Sequence, residues 1–287
     1  MHIASGKLLK DFSTFGIGGP AKAFAEAKTI EEMQALILFA KKEKMAYLVI
    51  GKGSNALFDD CGFEGLVILN KILFCSFEQT IVSVGAGYSF ALLGVQSARQ
   101  GLSGLEFASG IPAAVGGAIY MNAGANGGQT SDALTEVVYI THEGEKQILQ
   151  AKDLCFSYRS SPFQGKGGAI VAATFTLKPS PEARKKQIEI VQYRTKTQPY
   201  GEMSCGCVFR NPQTHSAGHL IEQAGLKDFQ IGGARVSSLH ANFIVNTGEA
   251  KASDVLELAS HIQTVVAEKT GVTLEMELCV IPHILPS

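Results

Sequence analysis

The stretch "GLEFASGIPAAVGGAIYMNAGANGG", from Gly104 to Gly128, is the most unusual part of this 287-residue chain. Apolar residues alternate there with glycine and alanine, and there is very little charge. A closely packed buried turn is one explanation, because glycine allows close approach of the backbone. A long, flat ligand lying against the backbone explains so many small residues, together with Asn122, more economically. The stretch therefore predicts a ligand site.

A second glycine-rich stretch, "GKGSN" from Gly51 to Asn55, directly follows the short apolar run "AYLVI". With Ala56 it matches the G-x-G-x-x-G/A dinucleotide fingerprint, but that fingerprint needs a helix to begin at the loop. Here the loop leads into "LFDDCGFEG", which is rich in turn residues, and then into the strand-like run "LVIL". A plain tight turn is one alternative. We favour an anion-binding nest, in which successive backbone N–H groups converge on a phosphate.

The composition is that of a globular protein with two or three domains, 46% hydrophobic and 18% charged. A formal net charge of −1 provides no basic face for nucleic acid and no polybasic membrane anchor. No apolar run approaches the ~18 residues of a membrane-spanning helix, and no signal-peptide core is seen near the N-terminus. The six scattered cysteines suit reduced thiols. We therefore expect a cytoplasmic protein.

The pattern of the chain mixes helices and strands. A β-α-β opening leads to Gly51, with a capping box at Thr29 and Glu32 starting its helix. Ser89 and Ser216 are predicted to cap two further helices. A hairpin is expected around "HEGE", and a charged helix from Pro181 to about 197 marks a domain boundary. A long helix over 253–270 and a final strand, "VTLEMELCVIP", complete the pattern.

Two positions outside the glycine-rich stretches are candidates for acid–base or ionic chemistry. Arg159 lies in the aromatic run "FSYRSSPF", where it is either a surface arginine or a fork that binds a carboxylate bidentately. Strand alternation places Glu275 and Glu277 on one face of the last strand. Carboxylates on such a face are usually only solvated, but in a cleft one of them would serve as an acid or an enolate stabiliser.

The run "SCGCVFRNP" raises the possibility of a metal or thiol site. Cys205 and Cys207 are too close together for ordinary C-x-x-C metal geometry. His215 and His219 complete a zinc pattern on paper, although His219 falls in the first turn of a predicted helix. An inert buried thiol is the commonest role for a cysteine. We predict no metal, and the residues alone leave the role of the thiols open.

Taken together, these motifs resemble the UDP-N-acetylenolpyruvoylglucosamine reductases, flavoproteins that reduce an enolpyruvyl group to a lactyl group in peptidoglycan precursor synthesis. The resemblance runs nearly end to end and is to the subgroup with the shorter chain. It rests on "TFGIGGPA", "GKGSN", the Gly104–Gly128 stretch, "FSYRSSPF", "TQP", "GCVFRNP", "AGHLIEQAGLK", "HANFIVN" and "GVTLEMEL".

The resemblance implies an α+β fold, in which an FAD-binding part of the vanillyl-alcohol-oxidase (PCMH) type is followed by a C-terminal α+β substrate domain. The FAD-binding part would consist of two lobes, 1–72 and 73–196, and the substrate domain would span 197–287. The implied FAD-binding residues are Gly51, Lys52, Gly53, Ser54, Asn55, Ser109, Gly110, Ile111, Gly116, Gly117, Ala118, Asn122 and Ala123. The implied substrate-binding residues are Arg159, Arg210 and Asn211. A monomer that uses NADPH and a UDP-sugar, without nucleic-acid or membrane partners, is expected.

In the implied mechanism NADPH reduces FAD and leaves, and the UDP-sugar takes its place. Hydride passes from flavin N5 to the enolpyruvyl methylene carbon, and the neighbouring carbon gains a proton. Arg159 and Glu277 would stabilise the enolate-like intermediate, and Cys207 would donate the proton. The chain departs from the family here, because the family usually has serine at this position. Met276 likewise replaces a common proline, and Lys52 a common glycine.

A cysteine donor is chemically reasonable. A thiol titrates near ~8.5, far below an alcohol, so it is the more willing acid near neutral pH. Nearby Arg159 and Arg210 would lower its pKa, and Glu277 would raise it. We hypothesise a neutral thiol donor that is more sensitive to oxidants than serine. The alternatives are another flavin oxidoreductase of the same fold, or a non-catalytic flavin- or nucleotide-binding protein.

Overall fold

The computed structural model describes residues 2–284, which form a mixture of helices and strands. The helices are α1 (Ile30–Lys42), α2 (Phe90–Arg99), α3 (Val115–Tyr120), α4 (Ala183–Thr197), α5 (Ala217–Gln223) and α6 (Ala252–Thr270). The strands are β1 (Ala21–Ala27), β2 (Tyr47–Ile50), β3 (Ala56–Phe58), β4 (Phe63–Asn70), β5 (Cys75–Glu78), β6 (Ile81–Gly85), β7 (Leu102–Ser103), β8 (Gly124–Ala125), β9 (Gly128–Gln129), β10 (Leu134–Ile140), β11 (Lys146–Gln150), β12 (Ala169–Thr176), β13 (Lys178–Pro179), β14 (Met203–Cys207), β15 (Gln230–Ile231), β16 (Ala234–Val236), β17 (Phe243–Asn246) and β18 (Cys279–Ile281). No helix among residues 2–284 is both long and apolar enough to cross a bilayer.

The predicted helix starts are confirmed, because each capping side chain accepts the expected backbone hydrogen bond. Ser89 caps α2, and Ser216 caps α5. Thr29 caps α1 by accepting the N–H of Glu32. The reciprocal bond differs from the predicted capping box, since the Glu32 carboxylate accepts the N–H of Lys28 rather than that of Thr29. The Glu32 carboxylate therefore bonds the backbone N–H of the residue before the N-cap.

The first compact unit comprises residues 2–4, 23–52 and 65–194. Its larger sheet has the antiparallel order β11-β10-β12-β6-β5, which confirms the predicted hairpin of β10 and β11. A second sheet has the order β1-β4-β2, with β2 and β4 parallel. Phe90 and Phe175 lie in one buried apolar cluster of this unit, and Leu36 and Ile68 lie in another. The β-α-β opening is confirmed, and β2 ends immediately before Gly51.

The second compact unit comprises 5–22, 53–64 and the described residues from 195 onward. Its antiparallel sheet has the order β14-β17-β16-β15, and β3 pairs with β18 in parallel. Phe15, Val208, Ile244, Leu258 and Ile262 belong to its buried apolar cluster. The three-domain division at 1–72, 73–196 and 197–287 stays a prediction.

The C-terminal strand is shorter than predicted. The sequence alternation predicted one strand over "VTLEMELCVIP", but only Cys279–Ile281 is a strand, with a single bridge from Met276 to Phe209 before it. Leu274 and Leu278 are buried, whereas Glu275 is exposed. The alternation correctly identified the buried side chains. A continuous ladder did not follow, because the backbone before Cys279 makes isolated hydrogen bonds instead of pairing along its length.

Gly62→Ala is expected to destabilise the protein strongly. Gly62 has φ +86°, and a Cβ there would lie 1.8 Å from the carbonyl oxygen of Pro20, which no rotamer change can relieve. Gly6 has a similar φ of +70° but an open environment, so Gly6→Ala isolates the cost of the backbone conformation. We expect a loss of about 1 kcal/mol for Gly6→Ala and at least about 3 kcal/mol for Gly62→Ala. Urea unfolding of both variants tests this, and equal losses would contradict it.

Candidate active site

The glycine-rich stretch of the first unit forms α3 and the turns on either side of it. A Cβ on Gly51 would lie 2.7 Å from the Cβ of Ala114, and one on Gly116 would lie 3.1 Å from the Cβ of Ala86. These glycines therefore allow the backbone segments to approach closely. Gly117 is exposed, and a Cβ there would meet nothing within 4 Å. The stretch thus combines tight packing on one side with open space at Gly117.

Two polar side chains of the first unit, Ser109 within this stretch and Lys52 outside it, have features of a ligand site. The buried Oγ of Ser109 has no hydrogen-bond partner among residues 2–284. Buried hydroxyls are normally bonded, so an orphaned one indicates a missing ligand or water. Lys52 Nζ donates to Ser89 Oγ over 3.1 Å, and Ser89 is the N-cap of α2. The ammonium group and the positive end of the α2 dipole therefore meet, which favours an anion nearby.

Arg159 lies at the tip of a tight turn in the first unit. The turn is closed by mutual backbone hydrogen bonds of 3.1 Å between Ser157 and Ser160. Arg159 adopts φ +54°, its Nη2 donates to the carbonyl oxygen of Gly124 over 3.0 Å, and its guanidinium lies 5.0 Å from the centre of the Tyr158 ring. These contacts hold the guanidinium as an oriented donor group instead of a loose surface cation.

In the second unit, the loop residues Gly53, Ser54 and Asn55 have backbone N–H groups that make no hydrogen bond to any other residue in the described part of the chain. Gly53 has φ +59°, and a Cβ there would lie 2.3 Å from the carbonyl oxygen of Phe12, so a larger residue does not fit. The loop continues into strand β3 and not into a helix. This agrees with a phosphate nest and disagrees with the dinucleotide fingerprint.

Cys207 is placed by an irregularity in β14. Regular pairing with β17 is interrupted between Ser204 and Cys207, where Gly206 adopts φ +82°. Cys205 is buried at 2% exposure, whereas Cys207 is only partly buried. The bulge therefore separates the two thiols by environment, with Cys205 in the core and Cys207 closer to the surface.

Glu277 is held in a short hydrogen-bonded ladder next to Cys207. The N–H of Glu277 donates to the carbonyl oxygen of Val208 over 2.8 Å, and Val208 directly follows Cys207. On the other side, Asn55 Nδ2 donates to the carbonyl oxygen of Glu277 over 3.1 Å. The N–H of Cys279 donates to the carbonyl oxygen of Asn55 over 3.0 Å. The second unit thus brings together the predicted nest, the thiol and the carboxylate.

Asn242 supports the same ladder from its opposite end. Its Oδ1 accepts the N–H of Phe209 over 2.9 Å, and its Nδ2 donates to the carbonyl oxygen of Phe209 over 2.8 Å. Its own carbonyl oxygen accepts the N–H of Val208 over 2.8 Å. Asn242 is 2% exposed. This buried carboxamide therefore fixes the segment immediately after Cys207.

Arg210 and Asn211 follow this segment. The N–H of Arg210 donates to the carbonyl oxygen of Glu275 over 2.8 Å. Asn211 Oδ1 accepts the N–H of Ala217 over 2.9 Å at the start of α5. The side chain of Asn211 thus orders the loop that leads into α5.

Two cysteines near Cys207 and Glu277, Cys205 and Cys279, have thiols with a raised pKa. Burial raises the pKa of Cys205, with smaller contributions from the other thiols and from Glu277. For Cys279 burial is again the largest cause, the Glu277 carboxylate raises the pKa further, and Arg210 opposes it. Both groups are therefore protonated thiols near neutral pH.

The predicted site residues fall into two groups. In the second unit Gly53, Ser54, Asn55, Cys207, Arg210, Asn211 and Glu277 lie in hydrogen-bonded or adjacent segments. In the first unit lie Gly51, Lys52, Arg159 and the predicted FAD residues between Ser109 and Ala123. Ala118 is fully buried, so only its backbone is available to a ligand. The carboxamide of Asn122 is bonded to protein groups. The assignment of the predicted site residues of both units to cofactor and substrate stays a prediction.

Sequence reasoning missed two residues that support the site, Asn242 and Gln164. Asn242 lies in the motif "HANFIVN", which carried the resemblance but gave no indication of its role. Gln164 Nε2 donates to the carbonyl oxygens of Tyr120 and Arg159. Two features could have pointed to them: an asparagine immediately before an apolar strand, and a glutamine after an aromatic residue. Both patterns are common, so neither is specific.

Two family models match the chain. Residues 21–149 match a model described as "FAD binding domain". Residues 198–281 match one described as "UDP-N-acetylenolpyruvoylglucosamine reductase, C-terminal domain". An FAD-binding part followed by a distinct C-terminal domain is therefore confirmed, as is the α+β fold class.

Several similar proteins bear the name UDP-N-acetylenolpyruvoylglucosamine reductase. The one from Protochlamydia amoebophila is 57% identical over 277 residues, which cover 96% of this chain and 93% of that protein. The one from Chlamydia trachomatis serovar A is 46% identical over 275 residues, covering 96% and 94%. A crystal structure of UDP-N-acetylenolpyruvylglucosamine reductase from Thermus caldophilus has a TM-score of 0.85 and 39% identity, covering 98% of this chain and 100% of that one. The similarity thus extends over nearly the whole chain.

Proposed function

Because the chain belongs to the UDP-N-acetylenolpyruvoylglucosamine reductase family, we propose that it is an FAD-dependent oxidoreductase that reduces UDP-N-acetylenolpyruvoylglucosamine to UDP-N-acetylmuramate with NADPH. This reaction belongs to peptidoglycan precursor synthesis. The main structural support for the proposal is the 2.8 Å hydrogen bond from the N–H of Glu277 to the carbonyl oxygen of Val208, the residue after Cys207. It supports a carboxylate and a thiol that act on the same substrate.

The residues of the two glycine-rich segments fit FAD. Within the described part of the chain, the Ser109 hydroxyl and the N–H groups of Gly53, Ser54 and Asn55 have no hydrogen-bond partner, and the face at Gly117 is open. These features suit a long dinucleotide. We assign the pyrophosphate to the 51–55 loop and the remainder of the cofactor to 109–123. When bound, FAD supplies the redox centre that carries a hydride from NADPH to the substrate.

Three side chains act on the substrate in this proposal. The guanidinium of Arg159 binds the substrate carboxylate, and Glu277 helps to stabilise the enolate-like charge that develops beside it. Cys207 donates the proton as a neutral thiol. The Glu277 carboxylate, which raises the pKa of both Cys205 and Cys279, lies in the same ladder and is the group that supports a neutral thiol there. Arg210 and Asn211 complete the substrate site.

A cytoplasmic location and a monomeric state belong to the same proposal. The net charge of −1 supports a small-molecule substrate rather than a nucleic-acid partner. The six thiols support a reducing compartment. Size-exclusion chromatography with light scattering measures the oligomeric state, and a mass of twice the chain would contradict the monomer.

Gly117→Ala is expected to weaken FAD binding without destabilising the protein. The new methyl group meets no atom of residues 2–284 within 4 Å, and alanine is favoured over glycine in a helix by about 1 kcal/mol. If FAD lies against Gly117, the methyl group instead occupies cofactor space. Fluorescence titration of the FAD-depleted protein should then show an affinity loss of about tenfold or more. Gly201→Ala, in another open environment, serves as the control. Unchanged FAD affinity in Gly117→Ala would remove Gly117 from the cofactor site.

The activity itself is tested by NADPH consumption in the presence of FAD. Consumption should depend on added UDP-N-acetylenolpyruvoylglucosamine, and mass spectrometry should show a product with two more hydrogen atoms than the substrate. NADPH consumption that is independent of the sugar nucleotide would contradict the proposal.

A further inference from the structure

Arg159 has a backbone conformation that its residue type disfavours. Its φ of +54° lies in the left-handed region, and it is the second residue of a two-residue turn between Ser157 and Ser160. Glycine or asparagine usually occupies such a position, because a side chain there is crowded by its own backbone. A strained conformation persists only where the surroundings hold it. The contacts that stabilise this turn therefore indicate which residues keep Arg159 in its strained conformation.

Two amide side chains hold the turn from outside. Asn122 Nδ2 donates to the carbonyl oxygen of Ser157 over 3.0 Å, at the base of the turn. Gln164 Nε2 donates to the carbonyl oxygen of Arg159 itself over 3.2 Å. The same nitrogen of Gln164 donates to the carbonyl oxygen of Tyr120 over 3.0 Å. Both amides thus connect the Arg159 turn to the glycine-rich segment around 120–124.

The carboxamide of Asn122 is fully used in this connection. Its two N–H groups have two acceptors, the carbonyl oxygen of Ser157 and Oε1 of Gln129 at 3.1 Å. Its Oδ1 accepts the N–H of Ser131 over 3.1 Å, and the residue is 1% exposed. No N–H of this side chain remains for a ligand. The sequence prediction that Asn122 binds FAD is therefore open to a different interpretation.

We propose that Asn122 and Gln164 are positioning residues for Arg159, which hold its turn against the segment assigned to the cofactor. The proposal rests on the function proposed above, in which Arg159 binds the substrate carboxylate. A hydrogen-bonded arginine recognises a carboxylate only when its planar fork is correctly oriented. The Arg159 Nη2 bond to the carbonyl oxygen of Gly124 fixes that orientation on the same segment. Loss of either amide would release the turn.

The test uses Asn122→Gly in the FAD-loaded enzyme. Asn122 has φ +41°, a backbone conformation that alanine would strain. Glycine adopts it freely, so Asn122→Gly removes the carboxamide without that strain. Asn126→Gly is the matched control, because Asn126 is exposed in the same region with φ +52°. We expect kcat/KM for the sugar nucleotide to fall about 10- to 100-fold in Asn122→Gly, since a misplaced binding group costs that much. Asn126→Gly should match the parent enzyme.

A double-mutant cycle with Arg159→Ala separates positioning from general structural damage. If Asn122 acts through Arg159, Asn122→Gly in the Arg159→Ala background should change kcat/KM by less than about twofold. Full additivity of the two losses would overturn the proposal. An FAD affinity loss in Asn122→Gly would also overturn it, in favour of direct cofactor binding by Asn122.

Gln164→Ala provides a second route if Asn122→Gly does not fold. Gln164 is only partly buried, and its expected effect is smaller and of the same kind: a loss in kcat/KM of about tenfold that disappears in the Arg159→Ala background. A loss that persists in that background would overturn the proposal. An Arg159→Ala variant with parental activity would overturn the role of Arg159 in the proposed function and, with it, this inference. If Arg159→Ala lowers activity but the double-mutant cycle is additive, only this inference is overturned and the proposed function is not.

Discussion

Replacement of Cys207 by alanine is expected to slow the reoxidation of the reduced enzyme by the sugar nucleotide by about 10²–10⁴-fold, the usual contribution of a positioned general acid. In the proposed mechanism, reduction by NADPH precedes the proton transfer and should therefore remain. The expected selectivity follows from the proposed role of Cys207 as the proton donor. The hydrogen bond from the N–H of Glu277 to the carbonyl oxygen of Val208 holds the residue next to it. Stopped-flow absorbance measures the two half-reactions separately.

Cys207→Ser separates the loss of the proton donor from the loss of packing. The serine hydroxyl is smaller than the thiol and fits the same position. Serine is also the residue that the family usually has there. Substantial activity should therefore return, together with greater resistance to hydrogen peroxide, because serine has no thiol to oxidise. Cys61→Ser, at an exposed thiol, should change neither property. Unimpaired turnover in Cys207→Ala would refute the assignment of the proton donor.

The second large effect is expected for Glu277→Gln. Glutamine keeps the shape of the side chain, and the backbone bonds to Val208 and Asn55 do not depend on the carboxylate. The substitution therefore removes the charge and the titratable group while these backbone bonds are kept. We expect kcat to fall about 10²–10³-fold, the range for loss of one electrostatic contributor to a transition state. Steady-state kinetics with the sugar nucleotide measures this loss.

Glu275→Gln is the matched control for Glu277→Gln. Glu275 is two residues away and exposed, and among residues 2–284 only its backbone carbonyl oxygen is engaged, by the N–H of Arg210. Its substitution should leave kcat and KM within about twofold of the parent, as for most surface changes. Equal losses in the two variants would show that charge on this segment, and not Glu277 in particular, governs activity.

The local signals of the sequence predicted the elements that carry the site. Thr29, Ser89 and Ser216 each start a helix as predicted, because a cap is decided by residues within one turn. The turn residues after Asn55 correctly indicated that no helix begins there, and the predicted strand "LVIL" lies within β4, although the short strand β3 was not predicted. These features depend on short-range chemistry, which a single sequence contains.

Long-range contacts were the part that could not be predicted. Asn122 bonds to Ser157, 35 residues away, and Asn242 bonds to Phe209, 33 residues away. A buried asparagine indicates that a partner exists but not which one. The left-handed φ of Arg159 was equally unpredictable, because its cost is offset by contacts from Gly124, Gln164 and Tyr158. The position would ordinarily predict glycine.

The final segment shows where a periodic pattern misleads. Alternation over 272–282 predicted a continuous strand, and it assigned Leu274 and Leu278 correctly to the interior. Strand formation also needs a partner with matching register. Before Cys279, the available partners are the backbone of Val208 to Arg210 and the side chain of Asn55. This irregular pairing is what places Glu277 beside the segment of Cys207.

The most direct test of the account is an anaerobic absorbance titration of the purified, FAD-loaded protein. NADPH alone should bleach the flavin absorbance, and one equivalent of UDP-N-acetylenolpyruvoylglucosamine should then restore it with formation of UDP-N-acetylmuramate. A protein that takes up no flavin, or one that stays bleached when the sugar nucleotide is added, would contradict the proposed function.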